Sequence, residues 1–430
     1  GMNSTGIAAG PGVGNAIAEW IIQGYPTMDL AEVDIKRYNK WQNNERYLYD
    51  RTKESVGLLY GMHWPQLQPH TARNARLSPI HHRLLEKRAV FGVVAGWERP
   101  NWFAPEGVNR KYEYSYGRQN WFDISADEHR AVRETAGLFD QSSFAKFSIK
   151  GNDAKAILNN LCANDIDVEP GRIVYTAMLN SRGGFESDLT VTRVSEQTFW
   201  VVTGGSSTTR DFHWIKDHIP DDSDASLTDI TSSLGVLGLM GPRSRKILSS
   251  ASDTDFSNES FPFMTSQEIE IGYAKVRASR ITYVGELGWE LYIPSDFMVH
   301  VFNWIMDHGE GIGLKLAGFH AMESLRIERA YRAWGSDITD LDTPIEAGLS
   351  FAVAFDKNAD FIGKNALLLQ LEKGIQRRLV TFVLDDPEPI LLGDEAIYRD
   401  GKLVGRTTSG VFGHTIGRAV CLGYLENPDG

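Results

Sequence analysis

Asp188 is the side chain of this sequence best placed to do chemistry. It begins the strand-like run 188–194 just after the glycine pair Gly183-Gly184, and Tyr175 lies on the preceding run 172–179. A carboxylate held on a rigid strand can relay a proton or stabilise a cationic centre. The turn Asn180-Ser181-Arg182-Gly183-Gly184 joins the two runs, and its glycines supply backbone conformations that a hairpin requires. An acid beside such a turn also serves simply to cap it or to stand in water. A second aromatic–acid pair follows in Tyr283-Val284-Gly285-Glu286-Leu287-Gly288-Trp289-Glu290, where a turn separates Tyr283 on one arm from Glu290 on the other. A tyrosine on a strand also reads as core packing with its hydroxyl satisfied.

Other polar groups read as structural. Arg326, Glu328 and Arg329 lie on a helix whose Leu325, Ile327 and Tyr331 make no single stripe, so ion pairing is expected there rather than catalysis. The 11 histidines show no metal spacing; the side chains of His81 and His82 should diverge, and His320 reads as structural. No metal site is expected. Gly10-Pro11-Gly12-Val13-Gly14 leads into a helix at 15–22, but no strand precedes it, so it fails as a dinucleotide fingerprint. Cys162 and Cys421 give neither a metal pattern nor a disulfide framework and fit a reducing compartment, the cytoplasm or an organelle matrix.

The elements that must position these groups begin near residue 126. Helices are predicted over 126–138, 152–162, 206–218, 295–308 and 318–334, with another opening at Gly241-Pro242. Strands are predicted over 144–149, 172–179, 188–194, 198–203, 225–239, 268–283 and 289–293. Residues 376–430 are strand-like and glycine-rich, as in a small β-barrel. Mixed segments with hairpins imply an α+β fold with mixed or antiparallel sheets and flanking helices. Residues 30–75 read as a poorly periodic connecting arm, and 91–103 as an aromatic-rich stretch broken by Pro100. Three units follow: 1–115, 116–375 and 376–430.

The 430 residues suffice for two or three domains, and 42% hydrophobic with 23% charged residues is ordinary for a globular chain. A net charge of -12 without a basic patch argues against a nucleic-acid partner. No apolar run reaches membrane-spanning length and no signal-peptide pattern opens the chain, so no membrane partner is expected. Gly1 before Met2 reads as an expression remnant.

Four separated motifs carry a resemblance. They are the turn 283–290, the helix Glu323-Ser324-Leu325-Arg326-Ile327-Glu328-Arg329-Ala330-Tyr331-Arg332-Ala333-Trp334-Gly335-Ser336-Asp337, the run Thr343-Pro344-Ile345-Glu346-Ala347-Gly348-Leu349, and Thr408-Ser409-Gly410-Val411-Phe412. In this order they resemble the aminomethyltransferase family, that of the glycine cleavage T-protein, over about residues 115–430. Trp97-Glu98-Arg99-Pro100-Asn101-Trp102-Phe103 and Tyr331-Arg332-Ala333-Trp334-Gly335 look like the branch fused behind a flavin domain, the dimethylglycine and sarcosine dehydrogenases. Residues 1 to about 105 then look like the tail of the flavin half. Its mononucleotide-binding beginning is absent from this sequence, so FAD binding by this chain alone is not expected. The last strands of the C-terminal barrel look missing after Gly430.

The resemblance implies tetrahydrofolate as one-carbon carrier. It places Asp188 at the transfer point, Glu290 at the aminopyrimidine edge, and Tyr175, Thr190 and Tyr283 in the cofactor-binding set. The expected product is 5,10-methylenetetrahydrofolate, and the donor an N-methylated amine or its iminium. Oxidation falls to a separate flavin oxidoreductase chain or to residues outside this sequence. The T-protein carries an asparagine where this chain has Gly204 and an arginine where it has Met322, so lipoyl-protein chemistry is not expected. Two alternatives stay open: a non-catalytic folate-binding or scaffold protein of the same fold, and a folate-dependent demethylase of another methylated substrate.

Overall fold

The computed structural model describes residues 5–426; Gly1, Met2 and Gly430 lie outside them. Two sheets carry most of the buried chain. The first has six strands in the order Ser266–Ile271, Ala274–Ser279, Gly288–Pro294, Leu234–Met240, Ala136–Asp140 and Leu314–Leu316, and only the last pair is parallel. The second has five, in the order Ile173–Leu179, Phe185–Ser195, Thr198–Thr203, Ala145–Lys150 and Ser226–Asp229. With helices packed on these sheets, the architecture is α+β.

Strand alternation sends successive side chains to opposite faces. In the first sheet Trp289, Leu291 and Ile293 join Phe302 and Ile305 of the helix Met298–Gly309 in one core. In the second, Leu189, Val191, Phe199 and Val201 pack on Leu158 and Leu161 of the helix Ala154–Leu161. The other two faces look at each other: Tyr292 and Val236 of the first sheet meet Val202 and Trp200 of the second. The ring centres of Trp200 and Tyr292 lie 6.0 Å apart.

The hairpin is tighter and longer than its sequence suggested, because its second strand starts at Phe185 rather than Asp188. Gly183 adopts φ +85°, which favours glycine. Asn180 Oδ1 accepts the backbone N–H groups of Arg182 and Gly184, each at 3.0 Å. A Cβ on Gly184 would stand 1.9 Å from the Asp340 carbonyl oxygen, so the turn is pressed against the segment after the helix Phe319–Glu328.

Several boundaries differ from expectation. The helix expected over 126–138 ends at Glu134, and Ala136–Asp140 is a strand buried at every residue. A fully buried apolar run carries no period to tell strand from helix. The strand expected over 225–239 is two strands around a turn at Thr231–Ser233. That expected over 268–283 is a hairpin turning at Gly272, φ +56°. The helix expected to reach Trp334 stops at Glu328, and Ala330 takes φ +55°. The glycine-rich stretch near residue 10 is itself helical, within Gly6–Gln23, and the arm holds the helix Glu45–Leu58, capped by the Asn44 side chain. Pro100 sits inside the strand Trp97–Phe103, paired with Ala89–Val94 beside a register shift that accommodates its missing N–H.

The C-terminal part forms an open four-stranded sheet in the order Arg377–Val383, Arg418–Glu426, Lys402–Gly413, Ala396–Arg399 among the described residues. Arg326 anchors it: its guanidinium donates to Asp337 Oδ2 at 2.5 Å and to Ser409 Oγ at 2.8 Å. Cys162 and Cys421 are both buried and unpaired, and burial pushes their thiols up to about 12 and about 11. No described helix is long and apolar enough to cross a membrane, and no metal-ligating cluster occurs among the described residues.

Candidate functional site

The two facing sheet surfaces carry the candidate residues. Register pairs Tyr175 with Thr190 and Ala177 with Asp188 across the hairpin, and Thr190 with Val202 on the next strand. Asp188 and Thr190 therefore share the face that looks toward the first sheet. Glu290 is paired with Gly238 and Ser279 and, two residues from Tyr292, lies on the first sheet's answering face.

Around Asp188 the contacts are direct. Tyr175 Oη donates to Asp188 Oδ2 at 3.1 Å. Burial raises the Asp188 carboxyl to about 6, the tyrosine hydrogen bond opposing the rise and the charge of Asp337 adding to it. Burial, followed by the charge of Asp188, lifts the Tyr175 hydroxyl well above its ordinary value. Tyr283 lies within the electrostatic reach of Asp188; burial raises its hydroxyl too, and that hydroxyl donates to the Arg332 carbonyl at 2.7 Å. Its ring stacks on Tyr331 with centres 6.1 Å apart.

Glu290 sits in a second polar group. Its Oε2 accepts the Tyr292 hydroxyl at 2.6 Å, and burial raises its carboxyl, with Tyr292 and Lys146 opposing. Lys146 is fully buried, donates to the Ser142 carbonyl at 2.9 Å, and is pulled down to about 7 by burial. The structure thus brings Tyr175 and Asp188 into contact, puts Thr190 on the same sheet face and Tyr283 within electrostatic reach, and sets Glu290 on the facing sheet.

Sequence reasoning missed two groups. Gln141 is buried with neither amide atom hydrogen-bonded, and it approaches Gly238 so closely that a Cβ there would lie 2.3 Å from its Oε1. Gly238 pairs with Glu290, so Gln141 lies over the same sheet face as that carboxylate. Buried polar groups rarely stay unpaired. The second is Lys146, whose place in Ala145-Lys146-Phe147 gave no sign of burial. Of the two departures from the T-protein pattern, Gly204 follows the strand Thr198–Thr203 and has no neighbour closer than 3.9 Å to an added Cβ. Met322 is buried among Phe139, Met240 and Leu325.

Comparison with known proteins gives three consecutive family matches. Residues 80–357 match the GCVT N-terminal domain, 23–78 the FAD dependent oxidoreductase central domain, and 377–429 the glycine cleavage T-protein C-terminal barrel domain. The chain is 45% identical to a formaldehyde-forming 4-methylaminobutanoate oxidase of Paenarthrobacter nicotinovorans, over 100% of this chain and 52% of the relative. It is 37% identical to the mitochondrial pyruvate dehydrogenase phosphatase regulatory subunit of Mus musculus, over 99% and 50%. It is also 37% identical to the mitochondrial sarcosine dehydrogenase of Homo sapiens, over 100% and 51%. The chain spans about half the length of these curated relatives. Among solved structures, the aminomethyltransferase T of the glycine cleavage system from Bartonella henselae superposes with a TM-score of 0.70 at 27% identity, covering 82% of this chain and 90% of that one.

Proposed function

This chain belongs to the aminomethyltransferase family of the glycine cleavage T-protein, preceded by a segment that matches the FAD dependent oxidoreductase central domain, and from that premise we propose that it is a tetrahydrofolate-dependent one-carbon transferase module. Its setting is a protein like the dimethylglycine and sarcosine dehydrogenases, in which a methylamine is oxidised elsewhere and its carbon is passed on here. The observation that supports the reading is the half-buried Tyr175–Asp188 pair, on the sheet face turned toward the face that bears Glu290. The functional division follows the three stretches 1–115, 116–375 and 376–430.

Bound tetrahydrofolate supplies the nucleophilic nitrogens that accept the carbon. Glu290 is the group to hold its aminopyrimidine edge, since one carboxylate oxygen is fixed by Tyr292 and parallel N–H donors suit a carboxylate. Gln141 supplies a further donor and acceptor over the same sheet face. Tyr283 and Thr190 line the ring on the Asp188 side. Asp188, oriented by Tyr175, stabilises positive charge on the arriving carbon and can take or return a proton near neutrality. The enclosing sheets keep water from the reacting carbon.

The similarity to a regulatory subunit favours keeping one second reading, a folate-binding protein of this fold without transfer activity. Calorimetric titration with tetrahydrofolate separates the two when paired with a transfer assay. Glu290→Ala should weaken binding by roughly 1.5–3 kcal/mol, the range for a hydrogen bond to a charged group. Asp188→Ala should bind more nearly as the parent does and lose transfer. Equal affinity in parent and both variants removes the folate assignment; binding without transfer in the parent selects the second reading.

A further inference from the structure

Arg99 lies on the strand Trp97–Phe103 and lines a cavity of about 140 Å³ together with Gln66, Gln68, Asn101, Phe319 and Glu323. Its guanidinium lies over the Phe319 ring at 3.9 Å, and its Nε is buried with no hydrogen-bond partner. Stacking fixes the plane of the group and leaves its N–H donors unanswered. Glu323 is held by Arg326 at 2.7 Å, and its charge reaches Arg99 without a direct ion pair. Among the described residues Arg99 forms no ion pair. Asn101 Oδ1 is likewise buried and unpartnered, while its Nδ2 donates to Tyr112 Oη at 2.7 Å. His320, on the same wall, is kept neutral: burial and then the Arg99 charge pull it down to about 3.

The cavity is built, not a packing accident. Gly92 has no side chain where a Cβ would stand 2.2 Å from Asn101 Nδ2 and 2.7 Å from Gln68 Oε1. Gly318 lets the helix Phe319–Glu328 approach so closely that a Cβ would stand 2.1 Å from the Asn101 carbonyl oxygen. A half-buried cation whose Nε is closed off from water without a partner is costly, and its planar fork matches a carboxylate. About 140 Å³ has room for a carboxylate and a few carbons, given roughly 30 Å³ per water. Phe319, on the cavity wall, belongs to the hydrophobic cluster against which Tyr283 packs, so the cavity adjoins the transferase site.

We propose that this cavity is a carboxylate-binding subsite in which Arg99 receives the acid end of a ligand of the transferase site. That the ligand serves the transferase rests on the function proposed above; the carboxylate chemistry does not. Two sources share this chemistry: an N-methylated amino acid, and the glutamate tail of a folate.

The test titrates the 430-residue chain and its Arg99→Met form with three probes: sarcosine, tetrahydrofolate, and tetrahydropteroate, which lacks the glutamate. Methionine retains a flexible stem over Phe319 without the charge. Sarcosine binding weakened ten-fold or more, with folate unchanged, supports the subsite and assigns it to the amino acid. Tetrahydrofolate weakened ten-fold with tetrahydropteroate unchanged supports it and assigns the tail. Affinities unchanged for all three, or tetrahydrofolate and tetrahydropteroate weakened alike with sarcosine unaffected, overturn it. A parent chain that binds neither folate form sinks the transferase reading, while sarcosine still decides the subsite; a parent that binds none of the three sinks both. Should Arg99→Met fail to fold, Arg99→Lys keeps the charge without the fork, and a loss of about three-fold or more for sarcosine or tetrahydrofolate, with tetrahydropteroate unchanged, is the supporting result, no loss the overturning one.

Discussion

At the scale of single residues, Asp188 governs the pH behaviour. Its carboxyl is raised from 3.8 to about 6, so the folded protein holds this proton more tightly than the unfolded chain. The stabilisation from the protonated form is fully present below pH 3.8 and is lost as pH rises through about 6. A shift of this size corresponds to roughly 3 kcal/mol at pH 8. Asp188→Asn should therefore melt above the parent at pH 8, with a smaller gain at pH 5, by thermal unfolding followed by circular dichroism. Transfer that uses the carboxylate should rise with pH through a midpoint near 6. Tyr175→Phe removes a hydrogen bond that favours the ionised form, so the midpoint should move up. An unmoved midpoint would mean that another group titrates. The Tyr175–Asp188 pair was legible in sequence because both lie on runs joined by a short turn. Gln141 was not, since its orphaned state depends on the missing Cβ of Gly238, a residue far away along the chain.

At the scale of elements, the hairpin turn is where the Asp188 strand meets the segment after the helix Phe319–Glu328. Gly184 is pressed on the Asp340 carbonyl, whereas Gly204, close to the same surface, faces open space. Gly184→Ala should cost about 1–3 kcal/mol through overpacking, and Gly204→Ala should change stability by less than about 0.5 kcal/mol. Urea unfolding of both variants decides this; equal losses would contradict the packing described. Sequence periodicity located the strand Thr198–Thr203 to the residue and the hairpin nearly so. It misjudged Ala136–Asp140, where burial on both faces erases the alternation on which strand recognition relies. It also overextended the helix Phe319–Glu328, because Ala330 leaves the helical region at a corner that the Arg326 side chain closes by reaching the Tyr331 carbonyl and Asp337.

At the scale of the whole molecule, the order of the three family matches follows the textures visible in sequence: an arm, a mixed sheet region and a strand-rich end. What could not be read from sequence is how the end is fastened. Ser324 donates to the Phe412 carbonyl at 3.0 Å, and His129 bridges Ser324 and Thr415, so contacts between residues far apart along the chain lock the last sheet onto the central helices. The match at 23–78 is to a central segment of a flavin oxidoreductase. Gel filtration after incubation with excess FAD should accordingly return a protein without flavin absorbance; a yellow protein would assign cofactor-holding capacity to residues 5–105.

The two sulfhydryl groups of this chain are shielded and kept protonated by their surroundings. A lone cysteine placed at Ser181, exposed on the turn beside Asp188's strand, would react with a maleimide dye while the native pair stays silent. Optical reporting of ligand entry therefore requires no prior removal of natural residues.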